Sequence, residues 1–107
     1  MPDPRSDPGS LAAMAGELNE AGRYEEAITC CARALDEDPA SIPALQSMAF
    51  ALNRARRYDE AISCCKTAMK IQPGHPRFVR ERAFALNKIG RHEEALECYG
   101  AGPPRDA

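Results

Sequence analysis

Apolar residues recur along this chain with the period of a helix, and the recurrence itself repeats. Leu11, Met14, Ala15 and Leu18 fall at i, i+3, i+4 and i+7, one face of an amphipathic helix. Ala27, Ile28, Cys31, Ala34 and Leu35 form a second such face. Leu45, Met48, Ala49 and Leu52 predict a third helix, and Ala61, Ile62, Cys65, Ala68 and Met69 a fourth. Val79, Ala83, Leu86 and Ile89 predict a fifth, and Ala95, Leu96 and Tyr99 a short sixth. With about two turns, that last helix depends on packing for its stability.

The punctuation agrees with the pattern. Ser10 and Ser41 are placed to cap the first and third helices. Gly22 and Gly90 sit where a left-handed C-cap is expected. Arg56 holds the equivalent place, at a cost of about 1 kcal/mol relative to glycine if the backbone there is left-handed. Asp38-Pro39 and Pro73-Gly74-His75-Pro76 end the second and fourth helices. Glu25-Glu26, Asp59-Glu60 and Glu93-Glu94 fall in first turns, where negative charge suits the helix dipole.

The whole grammar returns at a fixed interval. GRYEEAITCCARALDEDP, residues 22 to 39, comes back as RRYDEAISCCKTAMKIQP, residues 56 to 73, and starts again as GRHEEALECYG at Gly90. The period is 34 residues. Each pair of helices carries small residues where the two must cross: Ala15 with Ala27, Ala49 with Ala61, Ala83 with Ala95. A bulky side chain there would overpack the crossing by roughly 1–3 kcal/mol. One pair cannot bury its own apolar face, whereas stacked pairs can.

A helix–turn–helix period of this length resembles the tetratricopeptide repeat (TPR) family. Its Trp place holds Leu11, Leu45 and Val79, and its Leu-Gly pair is matched by Met14-Ala15, Met48-Ala49 and Arg82-Ala83. Its Tyr place holds Leu18, Leu52 and Leu86, and its Ala is kept as Ala27, Ala61 and Ala95. The Phe place holds Cys31, Cys65 and Tyr99, and the Pro is Pro39 and Pro73. The resemblance covers about residues 8–100. It implies an all-α solenoid of three stacked antiparallel pairs in a right-handed superhelix, the third pair truncated. The expected organisation is a disordered lead-in over 1–9, repeats over about 8–41, 42–75 and 76–100, and a flexible tail over 101–107.

The resemblance also implies that the first helix of each pair lines a concave face. One stripe beside the core stripe runs through Ala12, Gly16 and Asn19, then Gln46, Phe50 and Asn53, then Arg80, Phe84 and Asn87. Arg54, Arg77 and Lys88 flank it. The recurring asparagines offer a donor and an acceptor to an extended peptide backbone; alternatively each stabilises its own helix end or turn. Phe50 and Phe84 are apolar anchors for a ligand or packing between neighbouring helices. Places that hold a C-terminal carboxylate in some members carry Ala12, Gly16, Ser47 and Arg80, and only the arginine has suitable chemistry.

Charge sharpens this. The net charge of −2 argues against a nucleic-acid partner. Residues 1–40 hold nine acids and three bases, and residues 41–107 seven acids and eleven bases. The basic half suits an acidic peptide, and the asymmetry suits head-to-tail pairing of chains. No apolar run reaches the roughly 18 residues of a membrane span. MPDPRSDPGS lacks the apolar stretch of a secretion signal, so a cytoplasmic location and reduced thiols are expected.

The five cysteines fall in rows: Cys30 and Cys31, Cys64 and Cys65, then Cys98. Adjacent helical cysteines diverge by about 100°, which is no metal clip. Cys31 and Cys65 are expected in the core, and Cys30, Cys64 and Cys98 nearer the surface. His75 lies in a turn and His92 takes a turn-Tyr place, neither in a nucleophile, base or cofactor arrangement. The sequence therefore points to a non-catalytic module, without cofactor, that binds a partner peptide. It leaves two alternatives: a self-assembling element pairing through Leu86, Ile89, Leu96 and Tyr99, and a thiol or metal sensor.

Overall fold

The computed structural model describes residues 8–100. Six helices follow one another: α1 (Pro8–Glu20), α2 (Tyr24–Glu37), α3 (Ile42–Arg54), α4 (Tyr58–Ile71), α5 (Pro76–Lys88) and α6 (His92–Gly100). Each packs on the next, giving three antiparallel pairs in an all-α helical-repeat solenoid. The expected tail over 101–107, most of the lead-in and the side chain of Tyr99 lie outside the described residues.

The turn inside each pair is built the same way three times. The N–H of Arg23, Arg57 and Arg91 reaches back to the carbonyl of Leu18, Leu52 and Leu86, 2.8 Å in each case. This six-residue closure needs a left-handed residue just before the arginine. Gly22 (φ 78°), Arg56 (φ 65°) and Gly90 (φ 84°) supply it. Arg56 thus carries a side chain where glycine is unstrained. Arg56→Gly is expected to stabilise the fold by about 0.5–1 kcal/mol. That raises the melting temperature by roughly 2–8 °C; an unchanged or lower midpoint in a thermal melt would refute the strain.

The arginine after each left-handed residue holds the start of the next helix. Arg23, Arg57 and Arg91 form forked ion pairs with Glu26, Glu60 and Glu94, three residues on. Arg57 also reaches Glu25 of the previous pair at 2.9 Å. Hydrogen bonding to arginine holds the Glu60 and Glu94 carboxyls below the usual range. These first-turn acids are structural, as their place at the helix start predicts.

The six crossing alanines are buried, five of them completely. One core cluster runs from Ala15 in α1 to Cys98 in α6. A small second cluster joins Leu11, Ala12, Ala34 and Ala44.

Several expected positions are corrected. Helix α1 opens at Pro8, so Ser10 lies inside it and is not its cap. Ser41 does cap α3, accepting from the Ala44 N–H. In α5 the expected face holds at Ala83 and Leu86 and weakens at its two ends. Val79 is half-buried and Ile89 exposed, while Phe78, which the heptad-like spacing passes over, is fully buried. Leu96 is 52% exposed, because α6 has no helix packed on its outer side among the described residues.

Candidate functional site

The helices form two rows. First helices touch one another directly, α1 with α3 and α3 with α5, whereas second helices meet mainly first helices. A curved stack is tightest on its inner side, so α1, α3 and α5 make the concave wall.

The recurring asparagines lie along that wall. Asn19 Nδ2 donates to the Ser47 carbonyl at 3.1 Å. One period on, Asn53 Nδ2 donates to the Glu81 carbonyl at 3.1 Å and to Glu81 Oε1 at 2.7 Å. Each amide therefore fastens its helix to the first helix of the next repeat. The Asn19 and Asn53 donors are thus engaged between repeats and not at their own helix ends. Asn53 is 4% exposed, the single buried polar residue of the described core. The carbonyl oxygens of Asn19 and Asn53 are buried without a protein partner. Asn87 is exposed and accepts from His92 Nδ1 at 2.9 Å.

Two clefts lie along the wall. The first, about 300 Å³, is lined by Gly16, Asn19, Glu20, Gln46, Ser47, Phe50 and Arg77. A Cβ on Gly16 would meet nothing within 4 Å, so that side of the cleft is open. The second, about 250 Å³, is lined by Asn53, Arg54, Arg80, Glu81 and Phe84, and again by Phe50 and Arg77. Phe50 and Arg77 belong to both, which joins them into one groove. The structure thus brings together eight of the ten expected site residues. Asn87 and Lys88 stand beyond the second cleft, Lys88 over the Phe84 ring at 5.4 Å.

The aromatic positions repeat as units. Tyr24 meets the Phe50 ring at 6.2 Å and Tyr58 meets Phe84 at 6.3 Å. Arg54 covers Phe50 at 5.0 Å. Each phenylalanine packs against a neighbouring helix and still presents surface, Phe84 being 39% exposed.

His75 has a role that the sequence did not suggest. Its Nδ1 accepts from the Arg77 N–H at 3.2 Å and caps α5. Its ring lies 4.9 Å from Phe78 and its Nε2 3.1 Å from the Gln46 amide. The cap sets where α5 starts, and so where Arg77 and Arg80 enter the groove. A lone histidine after proline and glycine carried no such signal.

Another cavity, about 510 Å³, opens on the outer side between α2 and α4. Leu35, Pro39, Leu45, Met48, Leu52 and Cys64 give it mostly apolar surface, and Asp59, Glu60, Ser63 and Thr67 of α4 add polar groups to its lining.

The cysteines are more deeply placed than expected. Cys64 and Cys98 are buried along with Cys31 and Cys65, and Cys30 alone is half-exposed. Cys64 Sγ donates to the Leu45 carbonyl at 3.4 Å. Burial pushes the Cys31 and Cys64 thiols up to about 12, and Cys65 and Cys98 also upward. Among the described residues no group of three or more His, Cys, Asp or Glu side chains is placed to hold a metal. In the native protein a thiol reagent is expected to label Cys30 quickly and the other four only on unfolding. Stability linked to Cys31 and Cys64 is present below the free-thiol range and lost as pH rises from about 8.5 toward 12. Fast labelling of several thiols would revive the sensor reading.

Among the described residues no helix is long and apolar enough to cross a membrane. The family model described as Tetratricopeptide repeat matches residues 18–78 and again 52–107. Solved structures share the fold. A MamA mutant is 24% identical, with a TM-score of 0.81 over 92% of this chain and 57% of that one. The first TPR domain of human RPAP3 is 24% identical, with a TM-score of 0.83 over 90% of this chain and 76% of that one. The second TPR of Spaghetti (RPAP3), solved bound to the HSP90 peptide SRMEEVD, is 23% identical. Its TM-score is 0.84 over 90% of this chain and 89% of that one. No curated protein matches the sequence. The chain spans little more than half the length of the MamA chain it matches.

Proposed function

The chain belongs to the tetratricopeptide repeat family, and on that premise we propose that it is a non-catalytic interaction module whose concave groove holds an extended segment of a partner protein. The observation that carries this is the joining of the two clefts at Phe50 and Arg77. A run of two clefts across three helices suits an extended ligand better than a compact one.

The chemistry of the wall supports the same reading. Asn19 and Asn53 add polar lining to the two clefts. Phe50 and Phe84 supply apolar contact, and Arg54, Arg77, Arg80 and Lys88 favour an acidic ligand. A relative by fold, the second TPR of Spaghetti (RPAP3), was solved with a peptide.

Peptide display against the full chain tests the proposal. Selected peptides are expected to lose about tenfold or more in affinity against Phe84→Ser with Arg77→Ser. Lys66→Ser, exposed on α4, should leave affinity unchanged. Equal binding to all three proteins would remove the groove from consideration.

Self-association is a second reading, favoured by the exposure of Ile89 and Leu96. Leu86, expected in that surface, is buried and plays no part in it. Light scattering over a concentration series decides it, since a strict monomer at high concentration would end it.

A further inference from the structure

The arginines of this protein divide into two sets. Arg23, Arg57 and Arg91 at the turns each hold a glutamate three residues on. Arg54, Arg77 and Arg80 line a single cleft, and none is within ion-pairing distance of a carboxylate among the described residues. All three residues are exposed. The chain supplies carboxylates readily elsewhere, so three unneutralised charges at one place are a local property of the groove.

The one acid in that cleft is Glu81, which accepts from Asn53 at 2.7 Å. Three guanidinium charges against one carboxylate leave the cleft at +2. A ligand carboxylate brings a single negative charge. A phosphoryl group on a side chain brings about −1.5 to −2 at neutral pH, with three acceptor oxygens. The count of arginines matches the count of oxygens. The choice of arginine, whose planar fork meets phosphate in two parallel hydrogen bonds, fits the same group. Phe50 and Phe84 bound the cleft with aromatic surface. Its volume, about 250 Å³, lies below the roughly 300–1,000 Å³ of pockets for whole small-molecule ligands and suits one modified side chain.

We propose that the cleft between α3 and α5 is a phosphate-reading subsite, in which Arg54, Arg77 and Arg80 hold a phosphorylated side chain of the partner peptide. The inference rests on the groove reading and adds to it the class of residue recognised. A phosphorylation event on the partner then controls engagement, because the unmodified hydroxyl leaves the three charges unmatched.

The test is a titration of isotope-labelled full-length chain, followed by NMR, with phenyl phosphate, phenylacetate and inorganic phosphate at matched ionic strength. Phenyl phosphate is expected to shift Phe50, Phe84 and the three arginine side chains. It should bind about tenfold tighter than phenylacetate. Its affinity should fall as pH drops through the second phosphate ionisation near 6, where phenylacetate stays level. Arg77→Ser and Arg80→Ser should each weaken phenyl phosphate about fivefold or more, and Lys66→Ser should not. Phenylacetate binding as tightly, a pH-independent phenyl phosphate affinity, or shifts spread evenly over all surface cations would each overturn the proposal. Inorganic phosphate binding as well as phenyl phosphate would overturn the assignment to a modified side chain.

A parallel display of phosphoserine, phosphotyrosine and unmodified peptides separates the two levels. Unmodified peptides that bind in the groove as tightly as phosphorylated ones sink this inference and leave the groove reading intact. No peptide binding of either kind sinks both.

Discussion

Replacing Phe78 with alanine is expected to cost the fold about 3–5 kcal/mol, as for other fully buried aromatics. At roughly 4–8 °C per kcal/mol for a domain of this size, the melting temperature falls by about 12 °C or more. The reason lies in where the ring sits. Phe78 is in the first turn of α5, against the His75 ring at 4.9 Å, inside the main core cluster. Truncation leaves a cavity between repeats and also undercuts the histidine that caps α5. Val79→Ala is the informative companion. Periodicity alone puts Val79 in the core, but it is half-buried, and its loss should cost only about 1 kcal/mol. Thermal or denaturant unfolding of the two variants ranks the two positions. A larger loss from Val79 than from Phe78 would mean that α5 is rotated from the position described.

The second large effect is expected at Asn53. Asn53→Asp puts a carboxylate where an amide N–H₂ now donates to the Glu81 carbonyl and to Glu81 Oε1. Two hydrogen bonds become two repulsive contacts at a site 4% exposed. The cost is about 3–5 kcal/mol, that of an unpaired buried charge. Asn53→Ala removes the donor without adding charge and should cost about 1–3 kcal/mol. Burial and the facing Glu81 raise the new carboxyl above its unfolded value. Its penalty is therefore absent at low pH and grows as pH rises through that value. The Asn53→Asp variant should lie closest to the parent in acid and fall away toward neutrality. Adding Glu81→Lys to it supplies an opposite charge and should restore part of the loss. Asn87→Asp, at an exposed position, serves as the neutral comparison. If Asn53→Asp left the protein as stable as the parent at pH 7, the inter-repeat bond would be absent.

Much of the architecture is readable in one dimension because it depends on local chemistry. A left-handed residue is needed to close each turn, and Gly22 and Gly90 mark two of the three places. Pro39 and Pro73 stop the second helices because proline cannot continue the ladder. Ala15, Ala27, Ala49, Ala61, Ala83 and Ala95 recur because backbones approach at each crossing, and all are buried. The candidate groove was legible to the extent that periodicity places Phe50, Arg54, Arg77, Arg80 and Phe84 along one side. Periodicity does not say which polar groups are already engaged. Asn19, Asn53 and Asn87 look equivalent in sequence. They differ in the structure because the first two have a following first helix to bond and Asn87 has His92. Cys64 and Cys98 likewise look like surface positions on an isolated helix, and neighbouring helices bury them.

The clearest case is a second apolar stripe. Ala44 and Ala51 on α3, and Phe78 and Ala85 on α5, are all fully buried yet lie outside the stripe that faces their own partner helix. Ala44 joins Leu11, Ala12 and Ala34, so this stripe faces the preceding repeat. At the matching places α1 holds Ser10 and Glu17, and Glu17 is exposed. A helix with one neighbour needs one apolar face, and a helix stacked between two repeats needs a second. The sequence by itself determined the helices, the period, the turns and the crossing residues, since each is set by the residue's own backbone and size. The stacking of one repeat on the next decided the rest: which second faces are buried, which amides are engaged, and which arginines are left unpaired in the groove. Those depend on partners on other helices, 28 residues away for the two amides, which no local pattern records.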